Sequence, residues 1–317
     1  MRTNATIRRL IAESERDRRC CHGETRADRR ALRRRAVAGE LKRVYCNTYM
    51  TTCRWNELTP PQRVLYTARS LGVRHRTWVF GGHVAVAAHG LEHPWNIHDG
   101  TIVIMVGSAS GACSSGRLRR VYAPNVAPCI RSGIRVTGVE RTLIDCALTY
   151  PFAQTLPMFD SALRKGLTES RAILAACGVM TRDVGPVLSA VAHADARSEN
   201  GGESECRGVM LEEGFAPPEL QVAFDCETGT RRVDYLWRCD GAVIALEFDG
   251  TRKYVDPAMT GGDAIRQVVA DERAREDQLL RAGVTAIIRT DWDEVRARAP
   301  LVRKLLDAGV PRPGGLL

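Results

Sequence analysis

Three acids stand inside two otherwise apolar runs in the stretch RRVDYLWRCDGAVIALEFDGTRKY, residues 231–254. Asp234 lies within VDYLW, and Glu247 with Asp249 closes AVIALEFD. Side chains alternate between the two faces of a strand, so Glu247 and Asp249 share a face, and Gly250 ends the run. Asp234, on the neighbouring strand of the hairpin, can lie on that same side. An unpaired buried carboxylate is costly, so several converging ones call for a cation. Oxygen ligands of this kind favour Mg2+, Mn2+ or Ca2+ over zinc. Such an ion could stabilise a pentacovalent phosphate and lower the pKa of a bound water. The competing explanation places the acids at strand ends, paired with Arg231, Arg232 or Arg252.

The elements around these acids follow a legible order. ESECRGVMLEEG reads as a helix ending at Gly214, and PPELQVAFD as a strand. RRVDYLW and GAVIALEFD are two more strands. GDAIRQVVADERAREDQLLRAG is a long helix stopped at Gly283, VTAIIR a buried strand, and DWDEVRARAPLVRKLLDAG a closing helix. Residues 199–317 therefore predict an α-β-β-β-α-β-α unit, entered through the polar stretch HADARSENGGES. Residues 171–198 predict a helical connector.

Residues 56–170 predict a middle α/β block. TPPQRVLYTARSLG carries Pro at the start of a helical pattern, and GGHVAVAAHGLEHP predicts a short helix ending at Gly90. GTIVIMV is strand-like, and RLRRVYA with GIRVTG predicts a second strand pair. VERTLIDCALTY is amphipathic. His89 and His93 have the i, i+4 spacing of a metal pair, but Gly90 and Pro94 interrupt the helix and no HExxH pattern is present. The loop GSASGACSSG lacks the G-K-[ST] ending of a phosphate cradle and predicts a connector.

Residues 1–52 carry the positive charge. Through Tyr45 there are 14 Lys/Arg against six acids, whereas the chain from Glu199 onward is net acidic. TRADRRALRRRAVAGEL predicts a helix with Thr25 as N-cap and Gly39 as stop. LKRVYCNTYMT predicts a hairpin turning at Asn47. A basic helix followed by a β-wing is the layout of a winged helix-turn-helix, with DNA as the partner of this region. Arg29, Arg30, Arg33 and Arg34 on the helix, and Lys42 and Arg43 on the wing, are the candidate DNA contacts. The alternative is a merely solvated arginine face.

Composition narrows the rest. The 317 residues are 44% hydrophobic and 26% charged, an ordinary globular balance, and the length predicts two or three domains. No apolar run reaches the ~18–20 residues of a membrane helix. The charged N-terminal stretch has no apolar signal core, so a cytoplasmic location is expected. Eleven scattered cysteines without a C-x-x-C predict reduced thiols rather than disulfides or a zinc site.

Residues 199–296, through GGESECRGVMLEEG, RRVDYLW, ALEFDGTRKY and LLRAGVTAIIRTDWDEV, resemble the PD-(D/E)XK nuclease superfamily. The likeness is to its very-short-patch-repair-endonuclease-like branch. The resemblance implies a restriction-endonuclease-like core with Asp234 and Glu247 as the metal-binding acids and Glu203 as a supporting acid. Asp249 stands where the wider superfamily places its catalytic Lys, and Lys253 stands at the position of a His common in this branch. If the domain is active, Mg2+ or Mn2+ would sit on Asp234 and Glu247 while Lys253 or Asp249 orients water for phosphodiester hydrolysis. RAVAGELKRVYCNTYM, HVAVAAHGL, and GIRVTGVERTLIDCAL followed by DSALRKG resemble the AbiEi-type antitoxins, winged-helix regulators of type IV toxin–antitoxin systems. Three functions follow as alternatives: a DNA-binding regulator with a DNA-cleaving domain, a regulator whose nuclease-like domain only binds, and a chain whose C-terminal domain contacts a cognate toxin protein.

Overall fold

The computed structural model describes residues 5–108, 116–178, 180, 182–250 and 262–313, with the backbone alone for 262–271. The chain forms two compact units, one from residues up to Thr149 together with Arg171–Thr181, the other from Tyr150–Ser170 and Arg182 onward. The architecture is mixed α/β, and no described helix is long and apolar enough to cross a membrane.

In the first unit, α1 (Ala5–Arg16) and α2 (Arg26–Val37) precede a hairpin of β1 (Leu41–Tyr45) and β2 (Thr48–Thr51). α2 starts at Thr25 because a capping box closes there. Thr25 Oγ1 accepts from Asp28 N at 3.1 Å, and Asp28 Oδ2 accepts from Thr25 N at 3.0 Å, an arrangement worth about 1 kcal/mol. Gly39 (φ +79°) ends the helix and Asn47 (φ +50°) turns the hairpin, as the sequence predicts. Ala31 and Leu32 pack with Ile7, Cys21, Leu41 and Tyr49, while Cys20 packs with Val44, Met50 and Leu58. The vicinal cysteines thus serve packing, and burial pushes the Cys21 thiol up to about 12.

Helices α3 (Thr52–Glu57) and α4 (Pro60–Arg74) lead to a five-stranded sheet. It contains β3 (Val79–Phe80), β4 (Ile102–Val106), β5 (Leu118–Tyr122), β6 (Pro128–Arg131) and β7 (Ile134–Thr137), in the order β5-β4-β3-β7-β6. The expected pairing of RLRRVYA with GIRVTG is not formed. β5 runs parallel to β4, and β7 pairs with β3 and β6. β6 escapes a reading of the sequence because its Pro128 reads as a breaker. It nonetheless forms a hairpin with β7 over Ser132 and Gly133, both left-handed at φ +51° and +79°. α5 (Gly82–His89) ends at Gly90, which is left-handed at φ +68°. His89 and His93 therefore do not share a helix. His89 Nε2 meets Thr137 O at 2.8 Å, and His93 Nε2 meets His98 Nε2 at 2.7 Å. α6 (Val139–Ala147) packs against α5.

In the second unit, α7 (Phe152–Arg164) packs on α10 (Gly201–Glu212), and α9 (Gly185–His193) packs on α7; α8 (Ser170–Cys177) belongs almost wholly to the first unit. A buried ion pair joins α7 to α10, Arg207 Nη2 to Asp160 Oδ2 at 2.6 Å, and Asp195 N donates to the other Asp160 oxygen at 2.8 Å. The strands β8 (Glu219–Cys226), β9 (Gly229–Cys239), β10 (Ala242–Asp249) and β11 (Ala286–Asp291) form a sheet ordered β11-β10-β9-β8. β8, β9 and β10 run antiparallel, and β11 lies parallel to β10 across α11 (Gly262–Arg281). Tyr235, Trp237, Ile244, Leu246 and Phe248 pack with residues of α10 on one face. Val233, Leu236, Ala245 and Phe224 pack with Leu279 of α11 on the other. The α-β-β-β-α-β order is thus present. The single closing helix is not: α12 (Trp292–Ala297) and α13 (Ala299–Asp307) are separated at Arg298, whose φ of +58° no helix continues, and Pro300 stands in the first turn of α13.

The α7–α10 contact depends on the absence of a side chain at position 208. A Cβ on Gly208 would lie 2.6 Å from Ala153 Cα, which is backbone and cannot yield cheaply. Gly208→Ala is expected to cost about 1–3 kcal/mol, read as a lowered urea midpoint. An unchanged midpoint would show that the two helices do not pack this closely.

Candidate functional site

β8 and β9 each break the alternation rule at one place, and the acids cluster there. Leu220 packs on the α10 face, yet Phe224, an even number of positions on, packs on the α11 face. Tyr235 and Val233 are divided in the same way. The changeover falls at Gln221 and Asp234, between the register pairs Leu220↔Tyr235 and Val222↔Val233. Gln221 is left-handed at φ +54°, a conformation few residues other than glycine adopt. That reversal turns both strands and brings the Gln221 amide against the Asp234 carboxylate.

The Gln221 Nε2 amide donates to Asp234 Oδ1 at 3.2 Å and to Glu203 Oε2 at 3.0 Å. Asp234 Oδ2 accepts from Phe248 N at 2.9 Å. Glu203 sits in the first turn of α10, where Asn200 caps the helix. Its Oε2 also accepts from Glu199 N at 2.8 Å, and its Oε1 from Asn200 Nδ2 at 2.5 Å. Glu203 is thus part of the helix start as well as of the acid cluster. The amide between Glu203 and Asp234 separates the two charges.

Glu247 is met from the other side. Arg275 Nη2 on α11 donates to its Oε1 at 2.7 Å, and Arg289 Nη2 on β11 lies 3.5 Å from its Oε2. Arg289 stands opposite Glu247 in the β10–β11 register. It is held further by Glu276 at 3.0 Å and by Glu272. Arg275 is anchored on the Arg232 carbonyl at 3.1 Å. The arginines expected beside the acids are engaged elsewhere. Arg231 donates to Gln278 and Arg232 pairs with Glu199, while Arg252 lies outside the described residues. Asp249 is at the exposed end of β10, in register with Asp291. Lys253 lies outside the described residues.

Burial pushes all three inward carboxyls above their ordinary values. Glu203 rises to about 7, with the nearby Asp234 charge adding to the effect of burial. Asp234 rises by burial against the pull of Phe248 N–H and Gln221, and Glu247 rises by burial against Arg275 and Arg289. Glu205, two residues further along α10 than Glu203, also rises to about 7 by burial. The sequence did not single out Gln221, Arg275, Arg289 or Glu205, because nothing in their spacing marks them.

The expected Mg2+ or Mn2+ does not fit this donor set as it stands. Every oxygen of Glu203, Asp234 and Glu247 already accepts from or faces a protein donor, and no three His, Cys, Asp or Glu side chains among the described residues gather as metal ligands. A hard cation needs about six oxygens around it, and it would have to displace both guanidiniums from Glu247.

The other candidate surface is the arginine face of α2. Arg29 is committed to protein: its Nε donates to Gly23 O at 3.2 Å and its Nη2 reaches Glu24 O at 3.5 Å. Arg30, Arg33 and Arg34 are exposed and, with Ala27 and Val37, line a shallow depression of about 580 Å³. Lys42 and Arg43 are exposed on β1, which packs against α2. None of these five cations pairs with an acid among the described residues.

Comparison with known protein families, with curated proteins and with solved structures gives no match.

The raised carboxyls set a pH dependence. Glu203 and Glu205 hold their protons to about 7 in the fold and release them near 4.5 when it opens. Between those values the folded chain binds more protons, so stability falls as pH rises. Glu203→Gln with Glu205→Gln is expected to flatten this fall between pH 4.5 and 7 in denaturant melts. A double variant with the wild-type slope would place the titrating groups elsewhere.

Proposed function

We propose that the chain is a DNA-binding regulator of the AbiEi type. In this proposal the first unit docks on duplex DNA as a winged helix, and the second keeps a nuclease-like core for binding rather than for cleavage. The observation that carries it is the set of five exposed cations on α2 and β1 that pair with no acid among the described residues. A helix rich in arginine beside a hairpin with two more cations can span successive phosphates while one helix face enters the major groove. Arg29, occupied by two backbone carbonyls, shapes the turn before α2 rather than touching DNA. In the second unit, the element order and the placement of Asp234 and Glu247 on adjacent strands support the PD-(D/E)XK likeness. The guanidiniums on Glu247 favour the non-cleaving form of it.

Neutralising about five phosphates gives a slope of about −4 to −5 for log K against log salt. Arg33→Ala with Arg34→Ala is expected to weaken duplex binding about tenfold or more and to reduce that slope by about 2, read by gel shift or fluorescence anisotropy. Binding that is insensitive to this pair would move the DNA contact off α2. Plasmid nicking by the wild-type chain in Mn2+, abolished in Asp234→Ala and in Glu247→Ala, would restore the hydrolytic alternative.

A further inference from the structure

We propose that Arg275 and Arg289 are resident counter-ions of the carboxylate site. They stand where a divalent cation would otherwise balance Asp234 and Glu247, so the chain as folded takes no metal there and gains one when the guanidiniums are removed. The inference concerns the second unit alone and stands whether or not the first unit binds DNA.

Three features carry it. Two guanidiniums bring the same +2 charge as a divalent ion, and both reach the same carboxylate, one at each oxygen. Each guanidinium is also fixed by a second contact, Arg275 by the Arg232 carbonyl at 3.1 Å and Arg289 by Glu276 at 3.0 Å. They are therefore built into the site rather than resting on it, unlike a mobile surface pair. Finally, Glu272 and Glu276 gather on Arg289 beside Glu247. Removing the guanidiniums would leave Glu247, Glu272 and Glu276 without counter-charge and let their oxygens close on a hard cation, which they do not do while Arg289 stands among them.

The arginines also explain why burial of Glu247 is tolerated. Arg275 meets the carboxylate with a directed hydrogen bond and Arg289 adds its charge, and a guanidinium is more weakly hydrated than a divalent cation. A divalent cation would have to shed water to reach the same oxygens.

The test is Mn2+ binding by the full-length chain, followed by the loss of the free-ion paramagnetic resonance signal. The wild type is expected to show no saturable site. Arg275→Ala with Arg289→Ala is expected to bind one Mn2+ per chain, and adding Glu247→Gln is expected to abolish that site. Near-ultraviolet circular dichroism checks that each variant is folded. If the double variant does not fold, Arg275→Gln alone is expected to show saturable Mn2+ binding that the wild type lacks, whereas Arg275→Lys, which keeps the charge, is expected to behave as the wild type does. Saturable Mn2+ binding by the wild type that Glu247→Gln removes would overturn the proposal. So would a folded double variant that binds none, or an Arg275→Gln variant without saturable binding.

Discussion

A carboxylate taken out of water must be met by donors or it destabilises the fold by several kcal/mol. The sheet of the second unit is organised around that constraint. Glu203, Asp234 and Glu247 are each drawn into it, and each finds a different kind of donor: a helix start, a cross-strand amide and backbone N–H, and a pair of guanidiniums. The left-handed backbone at Gln221 is the local strain that makes the second of these possible. The position of α11 over the sheet makes the third possible, because only from that face can Arg275 reach Glu247.

Arginine has opposite uses in the two units. Arg207, Arg275 and Arg289 are spent on buried or half-buried acids and tie helices to the sheet or to one another. Arg30, Arg33 and Arg34 answer no acid among the described residues and remain on the surface of α2, where solvent screens them and a polyanion can displace their counter-ions. Arg29 belongs to neither group, since it closes the turn that starts the helix. A count of charges along the chain cannot separate these roles. It finds the basic end, but it assigns Arg29 to DNA as readily as its neighbours.

Local rules were legible wherever one element settles its own ends. Thr25, Gly39, Asn47, Gly90 and Gly214 punctuate the chain as their types predict, because capping and left-handed turns depend on a few adjacent residues. The α-β-β-β-α-β order of the second unit was legible for the same reason: strand alternation and helix periodicity are short-range patterns. The failure in the first unit is of longer range. β5 and β7 look alike as an adjacent pair, yet strand order depends on which partner each edge meets, and β6 takes the place beside β7. The closing helix is a local exception: it breaks at Arg298, whose positive φ its residue type does not announce.

By itself, the sequence determined that Asp234 and Glu247 would stand on neighbouring strands, since alternation and the hairpin order require it. It could not determine what balances them. That was decided by the tertiary structure, which turns β8 over at Gln221 and carries Arg275 and Arg289 in from elements 28 and 42 residues away from Glu247. The physical reason is that a counter-charge is chosen by distance in space and by what else anchors the group, and neither is written in the local pattern of the chain.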